Sequence, residues 1–128
     1  MSATSDLDVT LGEMLEGYIV CALWSSWGND GEPLDDDHDV DDVTTGTLDE
    51  SRADCLDFLM ANHADIVDMM SRGFSPAAIG HDFWLTRNRH GAGFWDRGLG
   101  DLGDRLSDAA RVYGSVDLYV DDDGRVTS

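Results

Sequence analysis

Between Gly80 and Gly98 the chain reads GHDFWLTRNRHGAGFWDRG, and this stretch holds most of the side chains equipped for chemistry. His81 and His90 carry imidazoles, which exchange protons near neutral pH. Arg87, Arg89 and Arg97 carry guanidinium forks suited to carboxylate or phosphate. Trp84 and Trp95 offer aromatic planes, and Gly91-Ala92-Gly93 leaves backbone bare enough for a ligand or a neighbouring strand to approach. On an alternating strand, Phe83, Leu85 and Arg87 face one side while Asp82, Trp84, Thr86 and Asn88 face the other. The binding surface predicted from this pattern is His81, Asp82, Trp84, Arg87, Asn88 and His90, with Trp95, Asp96 and Arg97 alongside. The opposing expectation is scaffold: aromatic strand residues usually face the core, and an Arg in an Asp-rich chain usually has an acid partner of its own.

Other motifs give less. DDDHDVDD (Asp35–Asp42) invites a calcium loop, which needs Gly at its sixth position and Glu at its twelfth. Counting from Asp37 gives Asp42 and Leu48; counting from Asp35 gives Val40 and Gly46. Both frames fail, so the run reads as a solvated acidic loop. DDDG (Asp121–Gly124) sits between LYV and RV and reads as a hairpin turn. His38, His63, His81 and His90 form no zinc-binding spacing, and no metal or cofactor is expected. No nucleophile motif is present. GLGDLG (Gly98–Gly103) has dinucleotide-like spacing but follows no buried parallel strand, and Leu102 and Leu106 already explain it as the start of a helix.

The 128 residues bound a single domain with one modest core. Charge is the dominant property: 27 acids face 8 bases, for a net charge of −19. All the bases are Arg, and Asp outnumbers Glu 23 to 4. Such a chain repels itself in dilute salt and is tolerable where the Debye length shrinks to about 3 Å near 1 M. The composition therefore predicts adaptation to a salty cytoplasm. It disfavours direct binding of nucleic acid, whose phosphates the whole surface would repel. The longest apolar run, Tyr18 to Trp27, is too short to span a bilayer, so no membrane association is expected. Residues 81–98, with 2 acids and 3 arginines, are the one segment that is not acidic.

These residues need elements to position them. Residues 1–8 read as a disordered tail and 9–128 as one α+β domain with an acidic loop at about 28–46. Leu11, Leu15, Tyr18, Ile19, Ala22 and Leu23 share one helical face. Thr47-Leu48-Asp49-Glu50 reads as a capping box opening a helix with Cys55, Leu56, Leu59 and Met60 on its core face, interrupted near Asn62-His63. Ile66, Val67, Met69 and Met70 continue the apolar content. Ser75-Pro76 starts a short helical turn. A β-hairpin over 82–95 follows, then a helix near 99–113, then a strand near 116–120 with an Asp-Gly turn and an edge strand. The predicted fold is N-terminal helices packed on a small antiparallel sheet, with one helix between. Cys21 and Cys55 read as buried thiols, with a bridge between them the alternative.

The ending GHDFWLTRNRHGAGFWDRGLG, followed by LSDAARVYGSVDLYVDDDGRV, resembles a family of small proteins encoded by tailed viruses of bacteria. Their ending usually reads G-H-D-F-W-L-T-R-N-G-H-G-A-G-F-W-D-R-G, then a helix, then L-Y-V-x-x-D-G. CALWSS…GEPLDDDHDVDD and ADCLDFL resemble the family's first half, so the likeness spans roughly residues 11–126. Arg89 stands where the family pattern has glycine. If that position needs positive φ, a side chain there costs about 1 kcal/mol or more. The resemblance implies a viral accessory protein and supplies no activity, cofactor or catalytic residue.

Three functions are therefore expected in turn. The first is a non-enzymatic accessory protein that binds a host or viral protein, or a small anionic ligand, through the 80–98 residues. The second is a small hydrolase or transferase on a phosphate-bearing substrate, with His81 or His90 as acid/base and Arg87 stabilising charge. It requires both histidines to reach one pocket. The third is an acidic DNA mimic that blocks a nucleic-acid-binding partner.

Overall fold

Leu11, Tyr18, Ile19, Ala22 and Leu23 are all buried, as their helical spacing requires. They lie on α1, Ala3–Ser25, in a computed structural model that describes residues 3–28 and 31–128. The helix takes up residues 3–8, where the sequence predicts a tail; Met1 and Ser2 of that tail lie outside the described residues. Two 3₁₀ turns, Leu34–Asp36 and Val40–Asp42, carry the acidic run. Buried Leu34 and Val43 pin it to the core.

The second helix, α2 (Thr45–Ala61), begins three residues before its predicted start, capped by Thr44 and not by Thr47. The reason lies at the far end of the chain. Thr44 N–H donates to the Val126 carbonyl at 2.9 Å, which holds Thr44 extended beside a strand. Thr44 and Thr127 hydroxyls meet at 3.2 Å. On α2 the core positions are Cys55, Phe58 and Leu59, whereas the predicted Met60 is exposed. Asn62 does break the helix, and α3 (His63–Ser71) continues from it with Ile66 and Met69 inward.

Ser75 and Pro76 open α4 as predicted, Ser75 Oγ accepting from Ala78 N–H at 3.1 Å. This helix does not stop after one turn. It runs Pro76–Arg87, so the hairpin predicted over 82–95 is replaced by a helix, a tight turn and a 3₁₀ turn at Phe94–Asp96. From Ile79 to Arg87 every residue is buried except His81, which is half-buried. A helix covered on all sides shows no polar stripe, and its aromatic and β-branched residues then imitate a strand.

The crossing of α1 and α4 explains Gly80. A Cβ on Gly80 would sit 1.9 Å from the Met14 carbonyl oxygen, and one on Gly17 2.0 Å from that of Ala77. The two backbones touch because both residues lack side chains. Around them Phe58 and Phe83 stack at 4.2 Å, Tyr18 meets Phe83 at 5.5 Å, and Tyr113 packs its edge on Phe83 at 5.1 Å.

The end of α4 accounts for the departure at Arg89. His90 N–H donates to the Leu85 carbonyl at 2.9 Å and Arg89 N–H to that of Thr86 at 3.1 Å. This is a Schellman cap, and Arg89 occupies its left-handed position at φ 57°. The position does require positive φ, but as a helix cap and not as a hairpin turn.

Beyond it, α5 (Asp101–Arg111) buries Leu102, Leu106 and Ala110. The antiparallel pair β1 (Tyr119–Val120) and β2 (Val126–Thr127) closes the chain. Between the strands Asp121 Oδ1 accepts from the N–H groups of Asp123 and Arg125, and Gly124 takes φ 78°. The fold is α+β, with five α-helices and one small sheet among the described residues. Among the described residues no helix is long and apolar enough to cross a membrane.

Candidate binding site

The residues predicted to bind separate into two groups along α4. At its C-terminal end Arg87 is 4 % exposed and turned inward. Its Nε donates to the Gly114 carbonyl at 2.8 Å and its Nη2 to that of Tyr113 at 3.1 Å. Its Nη1 reaches Asp54 at 2.7 Å and the Tyr18 hydroxyl at 3.0 Å. Its guanidinium also lies over the rings of Phe83 and Tyr113. Burial, eased only partly by the Arg87 charge, pushes the Tyr18 hydroxyl well above its ordinary value. Trp84 is buried, its indole donating to Ser25 Oγ at 2.7 Å. Asn88 donates to the Trp84 carbonyl and accepts from Val116 N–H at 2.8 Å. Arg87 and Asn88 thus tie the C-terminal segment to α4, and Trp84 ties α4 to the end of α1; Arg87 is enclosed, whereas Trp84 and Asn88 also line a polar hollow with His90.

The other group opens onto solvent. Asp82 is 2 % exposed, and Arg97 grips it with Nε at 3.1 Å and Nη2 at 2.7 Å. His81 Nδ1 stands 3.8 Å from the same carboxylate. Burial opposes ionisation of Asp82, yet the hydrogen bonds and charge of Arg97, with His81 close by, outweigh it and hold the carboxyl below its usual range. These three residues line one end of an open cleft of about 490 Å³ between α1 and α4. Val20, Phe74, Ala77 and Ala78 form its apolar walls. Trp24 lies at its edge, its ring 6.1 Å from that of His81. Asp96 accepts from Gly93 N–H at 3.0 Å, and Trp95 beside it is 46 % exposed.

His90 belongs elsewhere. It lines a polar hollow with Asn88, Ser115 and Asp117, and a separate cleft of about 490 Å³ with Trp24, Trp27 and Ala92. His81 and His90 therefore open onto different cavities. With Arg87 committed to the interior, the three residues named for acid/base and charge-stabilising roles share no pocket.

Val20, Trp24 and Trp27 are the residues the sequence reading missed. They are 50, 55 and 64 % exposed, large apolar side chains left in water. A signal for them existed: Val20 and Trp24 fall outside the helical face that carries Leu11, Tyr18 and Leu23. Among the described residues, no three His, Cys, Asp or Glu side chains come together to hold a metal ion. Cys21 and Cys55 are free, buried thiols, and burial above all pushes both up to about 12. No family model matches the chain, and no curated protein or solved structure is significantly similar to it.

Proposed function

We propose that this chain is a non-enzymatic binding protein whose working surface is the α1/α4 cleft and its exposed apolar rim. One observation carries the reading: Val20 and Trp24 stay exposed at the edge of an open apolar cleft that ends in His81, Asp82 and Arg97. Exposed large apolar residues grouped around a concavity mark interaction sites more often than chance. A protein partner fits this better than a small anion, because the Arg87 and Arg97 forks are already filled by Asp54, Asp82 and backbone carbonyls. The viral resemblance of residues 11–126 supports an accessory role in infection. The acidic composition supports a salty host cytoplasm. Exposed acids occur on α1, α2, α5 and the β turn, a spread that favours salt adaptation over mimicry of DNA.

Affinity capture from infected cells near 1 M salt, with wild type beside the Val20→Asp/His81→Ala double variant, tests the reading. Val20 is exposed and His81 half-buried, and circular dichroism verifies that the variant keeps its fold. A partner held by wild type and lost by the variant is the expected result. Equal retention by both places the working surface elsewhere.

A further inference from the structure

The exposed side of α1 says more about the partner than the cleft alone. Val9, Glu13, Glu16, Val20 and Trp24 recur every three or four residues, so they form one stripe along the helix, which Trp27 extends past its end. All of them are exposed. The stripe runs between two clefts that meet at Glu16. One is the α1/α4 cleft described above. The other, about 390 Å³, lies on the α2 side with Leu15, Ile19 and Leu48 as its apolar lining. At the far end Trp24 and Trp27 wall the third cleft.

Charge along this stripe is one-sided. Among the described residues, the side chains of Glu13 and Glu16 have no hydrogen-bond or ion-pair partner, and neither does that of Asp49 at the rim of the α2-side cleft. Of the bases at the rims, Arg97 is neutralised by Asp82 and Asp96. Among the described residues lining the α2-side cleft, Arg52 is the one base that stands against these acids. The aromatic end adds the same preference, since the faces of Trp24 and Trp27 attract guanidinium and ammonium groups. A second copy of this chain would bring Glu13 and Glu16 against like charge, which disfavours self-pairing.

Resting on the binding reading above, we propose that the exposed face of α1 docks a cationic amphipathic helix of a partner protein. Its apolar side chains enter the clefts on either side of Glu16, its basic residues meet Glu13 and Glu16, and a basic side chain lies against Trp24 and Trp27. Recognition of this kind uses anchors one helical turn apart.

The test is a titration with two synthetic helices of identical apolar pattern, one of leucine and lysine and one of leucine and glutamate. It is followed by calorimetry at about 0.3 M and about 1 M salt, with folding verified by circular dichroism at each. The leucine–lysine helix is expected to bind at least about tenfold tighter. Trp24→Ala is expected to weaken it by about tenfold or more, and Glu13→Gln/Glu16→Gln by several-fold. Asp122→Asn/Asp123→Asn, which makes the same change of net charge at the β turn, should leave binding unchanged. Equal weakening by the two neutralised pairs means diffuse attraction and overturns the site. Preference for the leucine–glutamate helix, still lost in Trp24→Ala, overturns the partner's charge while leaving the binding face intact. Binding of neither helix, or binding insensitive to Trp24→Ala, overturns the proposal. So does self-association that Val20→Asp abolishes, since it makes a second copy the occupant.

Discussion

Arg87 and Arg97 lie ten residues apart in one short segment, each paired with an aspartate, yet they have opposite duties. Arg87 is enclosed, and every bond it makes ties α4 to α1, α2 or the chain after α5. Arg97 is 32 % exposed and grips a buried acid from the rim of an open cleft. The guanidinium chemistry is the same in both. What differs is where the buried partner sits: with Arg87 the cation itself is desolvated, and with Arg97 the carboxylate is. A motif of polar residues is therefore no guide to function until its burial is known.

Removing Arg87 should have the largest effect. Arg87→Ala leaves Asp54, the Tyr18 hydroxyl and two carbonyls without their partner, and such losses cost about 3–5 kcal/mol. Denaturant unfolding in high salt measures it. Arg87→Lys should recover little, because one ammonium cannot reproduce the fork that meets three elements.

The Arg97 side of the comparison is sharpened by pH. Asp82→Asn should cost about 1–3 kcal/mol at neutral pH, since it removes a buried charged acceptor. The folded carboxyl ionises below its unfolded value of about 3.9. Its contribution is therefore fully present above about pH 4 and disappears as pH falls through the folded value. The stability difference between wild type and Asp82→Asn, followed by unfolding across that range, should shrink towards zero in acid. A constant difference would mean that packing, not charge, sets the role of Asp82.

The smallest effect is also the only gain. Arg89→Gly relieves a left-handed side chain at the α4 cap and should stabilise the protein by about 1 kcal/mol. Binding should not change, since Arg89 lines none of the clefts at the α1 face.

Much of the scaffold was legible because its signals are local. Ser75-Pro76, Asn62 and the Asp121–Gly124 turn each act through residues within a few positions, and each falls where the sequence predicts. The solvent-facing side of α5 leaves its apolar period visible, and that helix was predicted. The α4 helix was not, because burial on all sides erases the contrast on which periodicity depends. The start of α2 was misplaced because Val126, more than eighty residues away, holds Thr44 extended. The site was half legible. His81, Asp82 and Arg97 do meet at one cleft, but nothing local says that Asp82 pairs with a residue fifteen positions on. Trp24 and Trp27 were counted only within the apolar run Tyr18 to Trp27, although the face of α1 that buries Leu11 and Tyr18 leaves Trp24 outside it and Trp27 lies past the helix end.

Backbone hydrogen exchange, with and without the captured partner, tests the division of labour along α4 most directly. New protection is expected over 12–27 and 74–81, the face around Val20 and Trp24, while 83–88 are already protected and do not change. New protection confined to 86–91, or to the acidic run at 34–42, would contradict the account and move the working surface to the part of the chain assigned here to structure.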